Sequence, residues 1–362
     1  MKLGIFTTAL AVVAAAAAVS GARGLPAASA EPLKVGFVYV GPVGDHGWTY
    51  RHDIGRRAVE EEFGDKVSTT FVESVNEGPD AERVISRLAS EGHDLIFTTS
   101  FGFMNPTIKA AERFPDVRFE HATGYKRADN VSTYAGRFYE GRYVSGVMAG
   151  HLSEGGVIGY VGSFPIPEVV RGVNAFLLGA RSVRPDIRVQ VVWVNSWYDP
   201  GRERDAAQVL IDRGADVITQ HTDSPAPLQA AAAAGVYAFG QASDMIAFAP
   251  DTQVTAVVDN WDRYYVARAR AVLDGDWESS DTWGGLDTGM VEMAAYTNVP
   301  ESVASAARAA EAAVRSGEHR IFTGPLVSRD GVRKIGEGEV LDDDALLAMD
   351  WFLEGVEGEL PN

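Results

Sequence analysis

The chain has 362 residues, 46% of them hydrophobic, and a formal net charge of −18. A field of that sign repels nucleic-acid phosphates and anionic lipid, and the length suits two domains better than one. There is no cysteine, which excludes disulfides, thiolate metal sites, thiol nucleophiles and a lipidated cysteine behind a leader.

In chain order, residues 1–30 are expected to be a cleaved secretory signal. Met1-Lys2 gives a basic start, residues 5–19 an apolar run, and Ala28-Ser29-Ala30 the small residues a signal peptidase needs. The run is shorter than the ~20 residues that span a bilayer. Its removal takes away Lys2 and Arg23 and no acid. The expectation is a freely diffusing periplasmic monomer without a lipid anchor.

Residues 34–40 are a short apolar stretch closed by Gly41-Pro42, which predicts a buried strand and a loop. A helix follows over 52–63, then strand 67–75, helix 80–90, strand 94–99, helix 106–114 and strand 117–123. A second run repeats the order, with strand 156–162, helix 168–183, strand 187–195, helix 202–213, strand 216–222, helix 225–234 and strand 236–240. Strands alternating with helices of this length predict βαβ units and parallel sheets. Glu82–Leu88 leading into His93–Thr99 parallels Ala206–Asp212 leading into Ala215–Gln220, so two structurally equivalent lobes are expected. The tail predicts a helix over 263–273, a Gly-rich strand around 284–294, a helix over 301–315 and another from about Asp343. The expected division is residues 31–137 with about 259–290 in an N-terminal lobe, and 138–258 with about 291–362 in a C-terminal lobe. The chain then crosses between lobes several times, forming a hinge.

Ligands of open parallel sheets bind beyond the carboxyl ends of the strands. Trp48 and Trp197 both follow predicted strands. Facing each other across a cleft, they would close on a flat ligand, and each stacked contact is worth about 0.5–1.5 kcal/mol beyond area burial. Asp45, Ser74, Ser100, Glu120, Thr123, Ser163, Asn195, His221, Asp223, Gln241 and Asp259 also lie at strand ends. Acids outnumber bases among them, which favours a ligand rich in N–H donors over a phosphate or carboxylate. Asp199 before Pro200 reads as a helix cap rather than a ligand contact. No G-x-x-x-x-G-K-S/T, H-E-x-x-H or G-x-S-x-G motif is present. Neither an enzyme nor a cofactor or metal is expected.

Lys34–Tyr39 with Asp45-His46-Gly47-Trp48-Thr49-Tyr50, Glu82–Thr99 with Ser100-Phe101-Gly102, and Phe138–Gly146 followed by Ile158–Gly162 resemble the basic membrane protein (BMP) family of ABC-transporter substrate-binding proteins. So do Asn195–Pro200 and Gly214–Ile218. The resemblance implies an α/β, two-lobed, type I periplasmic-binding (Venus-flytrap) fold, a permease partner and a purine-type ligand. The nucleoside binders of that family usually carry Phe-Asn where this chain has Trp48-Thr49, and Phe where it has Trp197. Their ribose-contacting Lys falls near Asp259. Their acid after the fourth strand of the first lobe falls near Thr123, with Glu120 close by, and that after the last strand of the second lobe near Gln241. A kept and enlarged stacking pair with an altered ribose set implies a free base such as adenine. The expected contacts are Trp48, Trp197, Asp45, Tyr50, Ser100, Phe101, Glu120, Thr123, Asn195, Asp223, Gln241 and Asp259. A purine nucleoside, a riboflavin-like heterocycle or a sugar are the alternative ligands. An exported nucleoside hydrolase and a sensor subunit are the alternative functions.

Overall fold

The structure is a computed structural model that describes Met1 and residues 31–360. The expected signal over 1–30 lies outside the described residues, Met1 excepted. The elements alternate as read: β1 (Leu33–Val38), α1 (Trp48–Phe63), β2 (Val67–Val72), α2 (Pro79–Ser90), β3 (Leu95–Thr98), α3 (Met104–Arg113), β4 (Arg118–Ala122) and β5 (Val131–Gly136). Then come α4 (Phe138–Leu152), β6 (Val157–Gly162), α5 (Pro167–Val183), β7 (Arg188–Trp193), α6 (Pro200–Asp212), β8 (Val217–His221), α7 (Ala226–Ala234), β9 (Tyr237–Ala242) and β10 (Gln253–Asp259). The tail holds α8 (Asp262–Asp274), β11 (Asp281–Gly284), β12 (Val291–Met293), α9 (Glu301–Arg315), β13 (Leu326–Val327), β14 (Arg333–Ile335), α10 (Asp343–Leu347) and β15 (Val356–Glu357).

The strands form two main sheets, ordered β11-β5-β4-β3-β1-β2 and β12-β10-β9-β8-β6-β7-β15. Pairing is parallel throughout the first, and antiparallel in the second only where β12 meets β10. Setting β1–β5 over β6–β10 superposes the two orders, so each lobe repeats one topology. The backbone repeats too. Ser74 and Asn195 follow the equivalent strands β2 and β7, and Thr123 and Ala242 end the equivalent strands β4 and β9. All four have positive φ, between 51° and 62°. Non-glycine residues are uncommon there, so the shared turns mark equivalent loops.

Strand β1 is apolar along its length because it is central: Val35, Phe37 and Val38 are buried on both faces. Helix α2 shows the opposite economy, with Ala81, Val84, Ile85 and Leu88 on one buried stripe and charge elsewhere. Helix α4 is buried on every face between α5, α9 and β10. It meets α5 at backbone distance. A Cβ at Gly146 would lie 2.1 Å from the Phe176 carbonyl oxygen, and one at Gly179 2.1 Å from that of Tyr143.

Several expectations need correcting. Helix α1 starts at Trp48 rather than His52, so Trp48 is a helical residue. β5, α4 and β10 were not anticipated. The single strand expected around 284–294 is two: β11 joins the first sheet beside β5, and β12 the second beside β10. Among the described residues no helix is long and apolar enough to cross a membrane.

Candidate functional site

A cavity lies between the carboxyl ends of the two sheets, the place where ligands of open parallel sheets bind. Val40, Trp48, Ser100, Phe101 and Thr123 line it from the first lobe. Ile166, Glu168, Trp197, His221, Thr222, Asp223 and Gln241 line it from the second. No Lys or Arg stands among these lining residues.

Trp48 is the first residue of α1, and Gly47 at the N-cap has no side chain to satisfy the orphan N–H groups of the first turn. A carboxylate from the opposite lobe does so instead. The Trp48 amide donates to Asp223 Oδ1, and the Thr49 amide also acts on that carboxylate. Gly47 is obligatory here. Its φ is 93°, and a Cβ would lie 2.4 Å from both the carbonyl oxygen and Oδ1 of Asp223. Its own amide donates to Ser243 Oγ of the second lobe at 2.8 Å. The Trp48 indole N–H donates to the Thr99 carbonyl at 2.7 Å. The ring packs edge-on against His52 and the fully buried Trp261, at 4.4 and 5.6 Å.

Trp197 lies in the β7–α6 connection, 5.0 Å from the Phe164 ring. Its carbonyl accepts from the Asp223 amide at 3.0 Å. Its indole N–H crosses the cleft to Glu77 Oε1 of the first lobe at 3.1 Å. The lobes are therefore closed on one another: the Trp197 indole is tied to a carboxylate of the first lobe, and the Trp48 backbone amide to a carboxylate of the second.

Burial pushes the Asp223 carboxyl up to about 7, against the pull of the Trp48 and Thr49 amides. Burial likewise lowers His221, so that its imidazole is neutral although Nε2 lies 3.4 Å from Glu168 Oε1. Thr222 Oγ1, Gln241 Oε1 and His221 Nδ1 are buried without a protein partner. Buried polar atoms are normally paired, and a polar ligand in the cavity is one way to pair these.

Of the residues anticipated from sequence, Trp48, Trp197, Ser100, Phe101, Thr123, Asp223 and Gln241 are brought together here. Others are not. Asp45 and Asn195 are exposed on their loops. Tyr50 turns its ring toward His46, at 5.9 Å. Glu120 faces α8, where it accepts from Tyr264 at 2.7 Å, Arg268 at 2.5 Å and Trp277 at 2.7 Å. Its donors come from residues far along the chain, which nothing in its local sequence announces. Asp259 is buried outside the cavity wall. Its carbonyl accepts from Arg51, while burial raises its carboxyl, whose Oδ2 has no partner. Val40, Ile166, Glu168, His221 and Thr222 complete the wall. His221 was visible as a strand-end residue. Glu168 reads in sequence only as an acid in a helix first turn.

Two equivalent parallel-sheet lobes closed over a cavity define a solute-binding protein of the two-lobed type. A solved solute-binding protein of an ABC transporter from Aeropyrum pernix K1 shares the fold, with a TM-score of 0.70 at 18% identity, over 87% of this chain and 95% of that one. The family of PnrA-like ABC transporter substrate-binding proteins (Bmp) matches residues 33–316, and this chain belongs to it. Its members are binding proteins, not enzymes. They take up a small molecule and deliver it to an ABC permease. The purine-binding protein of Brucella abortus (strain 2308) is 59% identical over 331 residues, 91% of this chain and 95% of its own length. A Haloferax volcanii protein, provisionally named an ABC transporter glucose-binding protein, is 40% identical over 92% of this chain and 82% of its own.

Proposed function

We propose that this protein captures a free purine base, adenine in the first instance, in the periplasm and hands it to its permease. The observation that carries the reading is the cavity wall: two indoles, two carboxyl groups, a neutral histidine and unmet Thr222 and Gln241 oxygens, with no cation. Flat aromatic faces suit a heterocycle of any base type. Acceptors such as Asp223, Glu168 and Gln241 suit its amino and ring N–H groups, and a bond to an ionised carboxylate is about twice as strong as a neutral one. A phosphate or carboxylate would meet two acids and no Lys or Arg. The purine-binding name of the Brucella relative supports the same choice. Closure buries the ligand between the lobes. The chain would act as a monomer, exported behind the leader at residues 1–30.

Isothermal calorimetry on protein freed of ligand tests the proposal. Adenine is expected to bind with a Kd at or below micromolar, about −8 kcal/mol, and adenosine at least tenfold more weakly. Tighter binding of adenosine overturns the free-base reading. Binding of glucose or riboflavin in place of adenine overturns the purine reading, the Haloferax relative making glucose the sugar to include. Mass spectrometry of what the purified protein releases on denaturation identifies the natural ligand independently.

A further inference from the structure

We propose that Glu77 is a positioning residue that sets the Trp197 indole over the cavity only when the lobes are closed, and so couples stacking to closure. Glu77 lies outside the cavity wall, in the β2–α2 connection just before Gly78 and Pro79. Its Oε1 is held by its own lobe, accepting from Ser100 Oγ at 2.5 Å and the Gly102 amide at 3.1 Å. Both donors sit on the β3–α3 connection, which also contributes the wall residues Ser100 and Phe101. The same oxygen accepts the Trp197 indole N–H across the cleft. The carboxylate is thus in place before closure, fixed by donors that do not move with the second lobe. An indole on a loop has free χ1 and χ2 rotations. A charge-assisted bond to a fixed acceptor removes that freedom. Trp197 therefore presents its face to the cavity as a consequence of closure, and the ligand meets a finished plate.

Asp223 crosses the cleft the other way, to the backbone amide of Trp48 rather than its indole, and it also lines the cavity, so its removal would mix two effects. Glu77 separates them. The inference rests on the reading that the space between the indoles is the ligand site, and the test keeps the two apart.

Adenine is the probe, with stopped-flow indole fluorescence for its association and dissociation. Proton NMR of the indole N–H signals, with Trp197 assigned through Trp197→Phe, is run with and without adenine. Glu77→Ala is expected to shift the Trp197 N–H signal and to weaken adenine at least tenfold, mostly through faster dissociation. Glu77→Gln keeps an acceptor and is expected to stay within about threefold of the parent. In a Trp197→Phe background, which has no indole N–H, Glu77→Ala should add little. An unchanged Trp197 signal in Glu77→Ala overturns the proposal, as does an equal loss of affinity in the Trp197→Phe background. If the parent protein binds no adenine, the purine reading falls, and the NMR comparison still decides for or against Glu77.

Discussion

Under the proposed function Trp48 and Trp197 act as a pair, because a flat ligand held on one face only would keep its other face against mobile water. Trp197→Ala is expected to weaken adenine at least tenfold by calorimetry, with Tm nearly unchanged since the ring is only half-buried. An unchanged affinity would remove it from the site. Gly47→Ala tests the other plate. Its added methyl meets the Asp223 backbone and carboxylate at 2.4 Å, so the closed form should be lost while each lobe stays folded. Small-angle scattering with adenine present should then show no compaction. Both tryptophans were legible in sequence as residues that follow a predicted strand, although Trp48 proves to open a helix and to pack partly on its own lobe's core. Glu77 was not. A single glutamate in a polar turn looks like any solvated charge, and its three donors come from two other segments.

At the scale of elements, α4 and α5 decide how tightly the second lobe is built. Gly146 and Gly179 let the two backbones touch, so Gly146→Val has no room to relax into. Overpacking of this kind typically costs about 1–3 kcal/mol, and backbone is the obstacle here. We expect a loss near or above the top of that range, read as a lowered midpoint in urea with little change in slope. The sequence did not reveal α4, for a physical reason. Periodicity identifies a helix only when one face is wet, and α4 buries Tyr143, Val144, Val147 and Met148 on different faces. Helix α2, with one buried stripe, was read within a residue of its bounds.

For the whole molecule, folding carries acids out of water. Burial raises Asp223 and Glu140 each to about 7, and Asp259 well above its ordinary value. The folded protein therefore holds protons that the unfolded chain has already released. Stability from these groups is full below the ordinary carboxyl range near 4 and is lost as pH rises through about 7. Calorimetry without ligand should show Tm falling between pH 5 and pH 8, and Asp223→Asn with Glu140→Gln should flatten that slope. A slope left unchanged by the two substitutions would contradict the burial of these acids.

The sequence by itself determined the alternation of strand and helix, the repetition of one topology in two lobes, and the two indoles together with Asp223, Ser100, Thr123 and Gln241 at strand ends. Those follow from local rules: period, turn chemistry, and the place where parallel strands leave a sheet. The tertiary structure decided what depends on which segments meet. It turned Glu120 toward Arg268 and kept Asp45 and Asn195 in solvent. It brought Glu168 to His221, and it set a carboxylate of the opposite lobe on the Trp197 indole and on the Trp48 backbone amide. A hydrogen bond between residues distant in the chain leaves no mark on the spacing of either, so only the closed fold could show that the two plates are held from across the cleft.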